Sequence, residues 1–335
     1  MANTANQPRI AIIGAGKIAE VGHIPGFRKA NAPVVAICAR GTDNINRVAD
    51  HFQIERRYTD WQQMLSDGGF EAVAICTPPS LHRDMTITSL EHSYHVLLEK
   101  PIAITLDECD DMIAAVNSSN CLLMLAHNQR FRLQHITAKK ILDSGQLGQV
   151  RRVHTTFAHA GPEHWSPNQT WYFNKDKAGF GVLLDLGYHK IDLLRWLLGQ
   201  EVKQIHTIMA TFEKPTSADD SVVGVIQFDG GTLATLQASW AHHPDLLDSV
   251  VMFCEHGTLK IPSDPTEPVK VIQDQNGKII EEMRPCDTED GPAWFGVVQA
   301  FVDAIRHEQP SPVSAHDAKA TLEAVLTAYS QAGYS

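Results

Sequence analysis

Arg9-Ile10-Ala11-Ile12-Ile13-Gly14-Ala15-Gly16-Lys17-Ile18-Ala19 decides the fold of this 335-residue chain. Its apolar run reads as a strand, its two glycines as a tight turn, and the amphipathic residues Ile18–Lys29 as a helix. That succession is the context a dinucleotide fingerprint requires, and it makes the glycine spacing far more specific than the bare pattern. Gly14 allows the turn, Gly16 lets backbone approach a pyrophosphate, and small Ala19 lets the helix pack closely on the sheet. With Lys17 and Ile18, these residues would present the helix N-terminus to phosphate groups.

Further short β-rich runs at Val34–Ala39, Ala72–Cys76, Tyr94–Leu98 and Leu122–Ala126 alternate with helical patterns. These helices are expected near Asn44–His51, Trp61–Ser66, Leu81–His92 and Thr105–Asn117, the last capped by Thr105. Apolar runs separated by helices predict an N-terminal Rossmann doubly wound parallel sheet over residues 1–128. From residue 129 the pattern changes. A helix at His135–Ser144 and a long strand at Gln149–Ala158 lead into residues 201–283, which alternate with period two. Ser221–Phe228, the turn Asp229-Gly230-Gly231 and Thr232–Trp240 read as a hairpin. The expected fold is therefore α/β, with an α+β domain over 129–335 built on a large, mostly antiparallel open sheet. Helices at Trp294–Arg306 and Ala315–Tyr329 close the chain.

Lys and Arg number 28 against 39 Asp and Glu, and the net charge of −11 argues against a nucleic-acid or anionic-membrane partner. No apolar run is long enough to span a bilayer, and polar Met1–Pro8 carries no secretion signal. Cys38, Cys76, Cys109, Cys121, Cys254 and Cys286 match neither a metal-ligand spacing nor a disulfide framework. A cytoplasmic protein with reduced thiols and no metal is expected.

The second strand ends Cys38-Ala39-Arg40-Gly41-Thr42, without the acidic residue that usually holds a ribose 2′-hydroxyl. Arg40 with Thr42 suits the extra phosphate of NADP, which is favoured over NAD; Arg40 stacked on adenine would serve either. Glu99-Lys100-Pro101 ends another apolar run, so Lys100 would lie at the strand edge where open sheets bind ligands, with Pro101 restricting its backbone. Taken alone, Lys100 favours a solvated loop lysine, and only its neighbours overturn that reading. In Gly181–Asp192, helical spacing puts Asp185 and His189 one turn apart on one face. A histidine of ordinary pKa exchanges protons near neutrality, although a lone histidine on an amphipathic helix is more often structural. Trp165, Trp171 and Tyr172, with His242 and His243, either line a sugar-sized pocket or serve packing.

Together these motifs resemble the glucose-fructose oxidoreductase and inositol dehydrogenase family, Gfo/Idh/MocA, over nearly the whole chain. The likeness rests on Gly14–Ala19 with His23 and Pro25, Cys76-Thr77-Pro78-Pro79-Ser80-Leu81-His82, Glu99-Lys100-Pro101, Asn128 to Phe131, and Asp185 with His189. The segment Pro310 to Tyr329 also resembles the family's close. The resemblance implies an NAD(P)-dependent oxidoreductase acting on a sugar, cyclitol or related polyol or carbonyl. It implies that Lys100 contacts substrate and nicotinamide, Asp185 binds the reacting hydroxyl and His189 transfers the proton. It puts Cys76, Thr77, Pro78, His82, Glu99 and Asn128 around the cofactor, and it implies a homodimer or homotetramer. A dinucleotide-binding sensor and an NAD-dependent glycoside hydrolase are the alternatives within the same fold.

Overall fold

The computed structural model describes residues 7–164, 166, 170–244, 246–275, 278–284 and 293–334. Among them the chain forms fourteen strands and ten α-helices. They divide into two compact units, Met1–Asn128 with Asp290–Lys319 and Gln129–Glu289 with Ala320–Ser335.

The first unit runs β1 (Ile10–Ile13), α1 (Ile24–Lys29), β2 (Val34–Cys38), α2 (Thr42–Phe52), β3 (Arg56–Tyr58), α3 (Trp61–Asp67), β4 (Ala72–Ile75), α4 (His82–Glu91), β5 (His95–Leu98), α5 (Leu106–Asn117) and β6 (Leu123–Leu125). The strands pair in parallel in the order β3-β2-β1-β4-β5-β6. Every residue of β1 and β4 is buried, which is why these strands read as unbroken apolar runs. Thr105 caps α5 as expected: its Oγ1 accepts from the Glu108 amide at 3.3 Å while Glu108 Oε2 accepts from the Thr105 amide at 3.3 Å. The short edge strand β3 was not anticipated, because Arg56, Arg57 and Tyr58 carry no apolar alternation.

The second unit runs α6 (Leu133–Asp143), β7 (Val150–Ala158), α7 (Lys175–Ala178), α8 (Tyr188–Leu198), β8 (Val202–Ala210), β9 (Ser221–Phe228), β10 (Leu233–Ser239), β11 (Leu247–Cys254), β12 (Gly257–Ile261), β13 (Val269–Gln275) and β14 (Lys278–Arg284). Its sheet has the order β14-β13-β12-β11-β7-β10-β9-β8, antiparallel except for the β7–β10 pair. Alternation follows the pleat. Val222, Ile226, Leu236 and Ala238 are buried, whereas Ile208, Val223, Val225 and Leu233 stand exposed on the other face.

The chain closes with α9 (Ala293–Arg306) and α10 (Ala315–Gln331). The stretch Asp290–Lys319 groups with the first unit, a placement of the closing helices that the sequence leaves open. The reason is a seat on the first helical segment. A Cβ at Gly26 would lie 3.0 Å from Val298 and one at Gly22 2.8 Å from Trp294, so these glycines let α9 approach closely. Phe301 meets Phe27 edge-on at 6.4 Å, and the Leu125 amide donates to Val313 O at 3.1 Å.

Helix α8 is fastened by ion pairs, two of them buried. Lys190, wholly buried, pairs with Asp248 of β11, which also pairs with Arg132. Arg130 forks onto Asp192 at 2.9 and 2.6 Å, and Arg195 forks onto Glu201 while reaching Thr321 Oγ1 at 2.7 Å. Burial works against the Asp248 charge, but Lys190 and Arg132 outweigh it and hold the carboxyl far below its ordinary value. Burial, with Lys190 and Arg132 adding to it, pushes neighbouring His135 down to about 3.

Asp248→Asn strands two cations and is expected to cost about 3–5 kcal/mol in urea unfolding at pH 7. The acid limb has a definite sign. An unfolded His135 takes up its proton near 6.5 while the folded one stays neutral down to about 3, so stability declines as pH falls below 6.5. Asp248, lowered in the fold, adds to the loss only below about 4. Unfolding midpoints measured from pH 7 to 4 should fall in wild type and fall less steeply in His135→Gln.

Candidate active site

In the first unit, the site residues gather where β2, β1 and β4 end. The Gly14 amide donates to Cys38 O at 2.8 Å and the Cys76 amide to Ile13 O at 2.7 Å. Gly14 has φ +105°, and a Cβ there would strike the Cys76 carbonyl, so both backbone and space demand glycine. The helix expected over Ile18–Lys29 begins with a wide π-turn, Ala19–His23, in which the Ile24 amide bonds back to Ala19 O. Pro25 follows at the second position of α1, in the first turn, where a helix tolerates a missing amide. Lys17 is exposed and Ile18 half-buried on this opening turn.

The π-turn delivers His23 into the interior. Its Nε2 lies 2.7 Å from Glu99 Oε1, and the other Glu99 oxygen accepts from the Lys100 amide at 3.2 Å. Burial opposes the charge on His23, but Cys76 and Glu99 together raise its pKa to about 10. His82 is a second buried strut, with ring nitrogens 2.9 Å from Thr77 O and from Pro101 O. Burial lowers its pKa despite those carbonyls. It therefore links the loop after β4 to the loop after β5 and fixes the edges on which Thr77, Pro78 and half-buried Lys100 stand.

At the β2 tip, Ala39 is half-buried, Arg40 and Thr42 are exposed, and Gly41 offers α2 no side-chain cap. Asn128 is buried after β6, and its Oδ1 has no hydrogen-bond partner among the described residues. A cradle that only glycine fits, an uncapped helix start beside Arg40 and an unsatisfied amide oxygen together fit a dinucleotide.

In the second unit, Leu183–Gly187 forms another π-turn, with the Tyr188 amide bonded to Leu183 O, and runs directly into α8. Four successive amides at its start are satisfied from elsewhere. Gly181 and Leu184 donate to Tyr329 Oη at 3.1 and 3.2 Å, Val182 to Asp219 O at 3.0 Å, and Leu183 to Asp219 Oδ2 at 2.8 Å. Tyr329 Oη in turn donates to Asp219 Oδ1 at 2.6 Å. A Cβ at Gly181 would overlap the Asp219 carbonyl. Thus a tyrosine–aspartate pair replaces a conventional cap.

From Gly181 to Arg195 every residue is buried except Asp185 and His189. Asp185 Oδ2 accepts from Trp240 Nε1 at 3.1 Å, and the His189 ring lies 5.8 Å from that of Phe157. Trp171, half-buried, stacks on buried Tyr172 at 3.9 Å. Exposed His243 pairs with Glu213 at 3.0 Å, and Trp165 lies outside the described residues. Trp240, Asp219 and Tyr329 escaped the sequence reading, since no local spacing relates them to Asp185. Among the described residues no three His, Cys, Asp or Glu side chains converge as a metal site.

Residues 8–127 match a family model described as the oxidoreductase family, NAD-binding Rossmann fold, and residues 135–260 match the GFO/IDH/MocA C-terminal domain. The chain is 28% identical to the uncharacterized oxidoreductase YrbE of Bacillus subtilis over 68% of its own length and 66% of that protein's, just under two-thirds. It is 26% identical to the D-glucoside 3-dehydrogenase of Escherichia coli over 95% of this chain and 92% of that one. A solved levoglucosan dehydrogenase in complex with NADH and levoglucosan shares the fold, with TM-score 0.87 and 22% identity over 97% of each chain.

Tyr329→Phe keeps the ring stacked on Phe180 but removes an acceptor for two amides and a donor to a buried carboxylate. It should lower unfolding free energy by about 1–3 kcal/mol and speed hydrogen exchange at Leu184. Denaturant titration and amide exchange followed by mass spectrometry measure both.

Proposed function

The chain belongs to the Gfo/Idh/MocA family of oxidoreductases, and on that premise we propose that it transfers hydride between NADP or NAD and a CH–OH group of a sugar, cyclitol or related polyol, or the corresponding carbonyl. One observation carries the reading: two polar, proton-handling side chains, Asp185 and His189, alone interrupt an otherwise buried stretch from Gly181 to Arg195. The dehydrogenase names of the relatives support the substrate class.

In the oxidative direction His189 accepts the hydroxyl proton, and Asp185 holds that hydroxyl by a hydrogen bond. Lys100, as a cation, stabilises the alkoxide charge that develops on the oxygen. The nicotinamide, when bound, supplies the hydride acceptor or donor. Gly14, Gly16, Ala19 and the opening turn would hold its pyrophosphate, and Cys76, Thr77, Pro78, Glu99 and Asn128 would border it, with His82 bracing that border. Reduction uses the same groups in reverse. Trp171 and Tyr172 bound the substrate side.

NADP is the favoured cofactor, because the β2 tip offers exposed Arg40 and Thr42 beside the uncapped start of α2. The protein works as a homodimer or homotetramer through the exposed face of the second sheet, where Ile208, Val223, Val225 and Leu233 form an apolar patch. Five described cysteines are free thiols, the state a reducing cytoplasm maintains, and among the described residues no helix is long and apolar enough to cross a membrane.

A panel of sugars, cyclitols, sugar acids and simple carbonyls, assayed with NAD and NADP in both directions, tests the activity. Lys100→Met and His189→Ala should each lower turnover of the active compound by about two decades, the usual scale for losing charge stabilisation or a general base. Near-native turnover would remove that residue from the mechanism. Arg40→Asp should weaken NADP more than NAD, and an equal loss for both would withdraw the NADP preference.

A further inference from the structure

Trp240 directly follows β10 and is 1% exposed, so its indole N–H needs an acceptor inside the fold. That acceptor is Asp185 Oδ2 at 3.1 Å, a carboxylate in a half-buried position. The indole is itself held firmly. The Trp240 main-chain amide donates to Asp220 O at 2.7 Å, and the indole ring meets Phe173 edge-on, at 90° and 5.9 Å. Asp220 follows Asp219, whose carboxylate and carbonyl cap the turn bearing Asp185. Two adjacent residues ahead of β9 therefore fix both the main chain under Asp185 and the group that grips its carboxylate.

We propose that Trp240 is a positioning residue, whose indole N–H holds the Asp185 carboxylate in the single orientation used to bind the substrate hydroxyl. The inference rests on the role given to Asp185 above. A hydrogen bond to a carboxylate oxygen is directional, and this one selects among the staggered positions open to a side chain on a half-open turn. Misorientation lowers the population of reactive complexes more than it weakens the overall grip on the substrate. The expected signature is a loss in kcat with little change in KM.

The test uses the full-length protein with saturating NADP or NAD and the panel compound turned over fastest. Trp240→Phe should reduce kcat about tenfold, the cost of one lost orienting hydrogen bond, with KM within about twofold. Benzothienylalanine at position 240, which keeps the bicyclic ring and deletes only the N–H, should give the same split even if the phenylalanine variant folds poorly. Neither change should lower kcat further in an Asp185→Ala background, because the partner is already gone. In nitrogen-15 spectra, the indole N–H resonance that Trp240→Phe removes should shift when Asp185→Ala is made. Native kcat in both position-240 variants, additive losses with Asp185→Ala, or an unmoved indole resonance overturns the proposal. Native kcat in Asp185→Ala overturns the reading of Asp185 itself, and the positioning role with it.

Discussion

Any helix begins with amides that have no partner of their own, and at the turn carrying Asp185 that debt is met from outside the helix. Gly181, Val182, Leu183 and Leu184 donate to Tyr329 Oη and to the carbonyl and carboxylate of Asp219. The turn is consequently anchored by bonds to distant residues where helix ends commonly fray. Much else follows from it. Gly181 must lack a side chain because the Asp219 carbonyl fills that space, and the end of α10 must return to this point so that Tyr329 can reach it.

Anchoring of the turn matters because α8 continues from it and is pinned by charge lower down. Lys190 on Asp248, Arg130 on Asp192 and Arg195 on Glu201 lie along the same helix, so the segment is held at its start and along its length. Replacing such pairs by apolar groups need not lose stability; among the three, the Lys190–Asp248 pair is the one that ties the helix to a strand, β11. The consequence is placement. His189 is bracketed by buried Tyr188 and buried Lys190, and its own side chain is half-exposed. In the first unit the same principle operates with glycine: Gly14 sits where three strands end and no other residue fits.

Features written in adjacent residues were legible in the sequence. The strand–Gly14–helix unit, the Thr105 cap and the Asp229-Gly230-Gly231 hairpin are local, and the structure contains each of them. Strand β3 left no trace because its three residues are polar. The π-turns at Ala19–His23 and Leu183–Gly187 shift hydrogen bonds by one residue without altering the apolar pattern. Tyr329 and Asp219 are 110 positions apart, and only tertiary contact relates them. Asp185 and His189 were legible as an i, i+4 pair, but the burial of Lys190, Asp192 and Arg195 beside them was not. The family resemblance gave these residues their chemical roles; spacing alone favoured a structural histidine.

The seat of α9 on Gly22 and Gly26 has a consequence for how such proteins can be recombined. The chain alternates between the two units in four segments, Met1–Asn128, Gln129–Glu289, Asp290–Lys319 and Ala320–Ser335. Neither unit is therefore a continuous stretch of gene. A chimera that imports another protein's nucleotide half by a single junction after Asn128 would set a foreign glycine seat against this chain's Trp294 and Val298. Compatible exchange needs three junctions, because each unit is assembled from two separated segments.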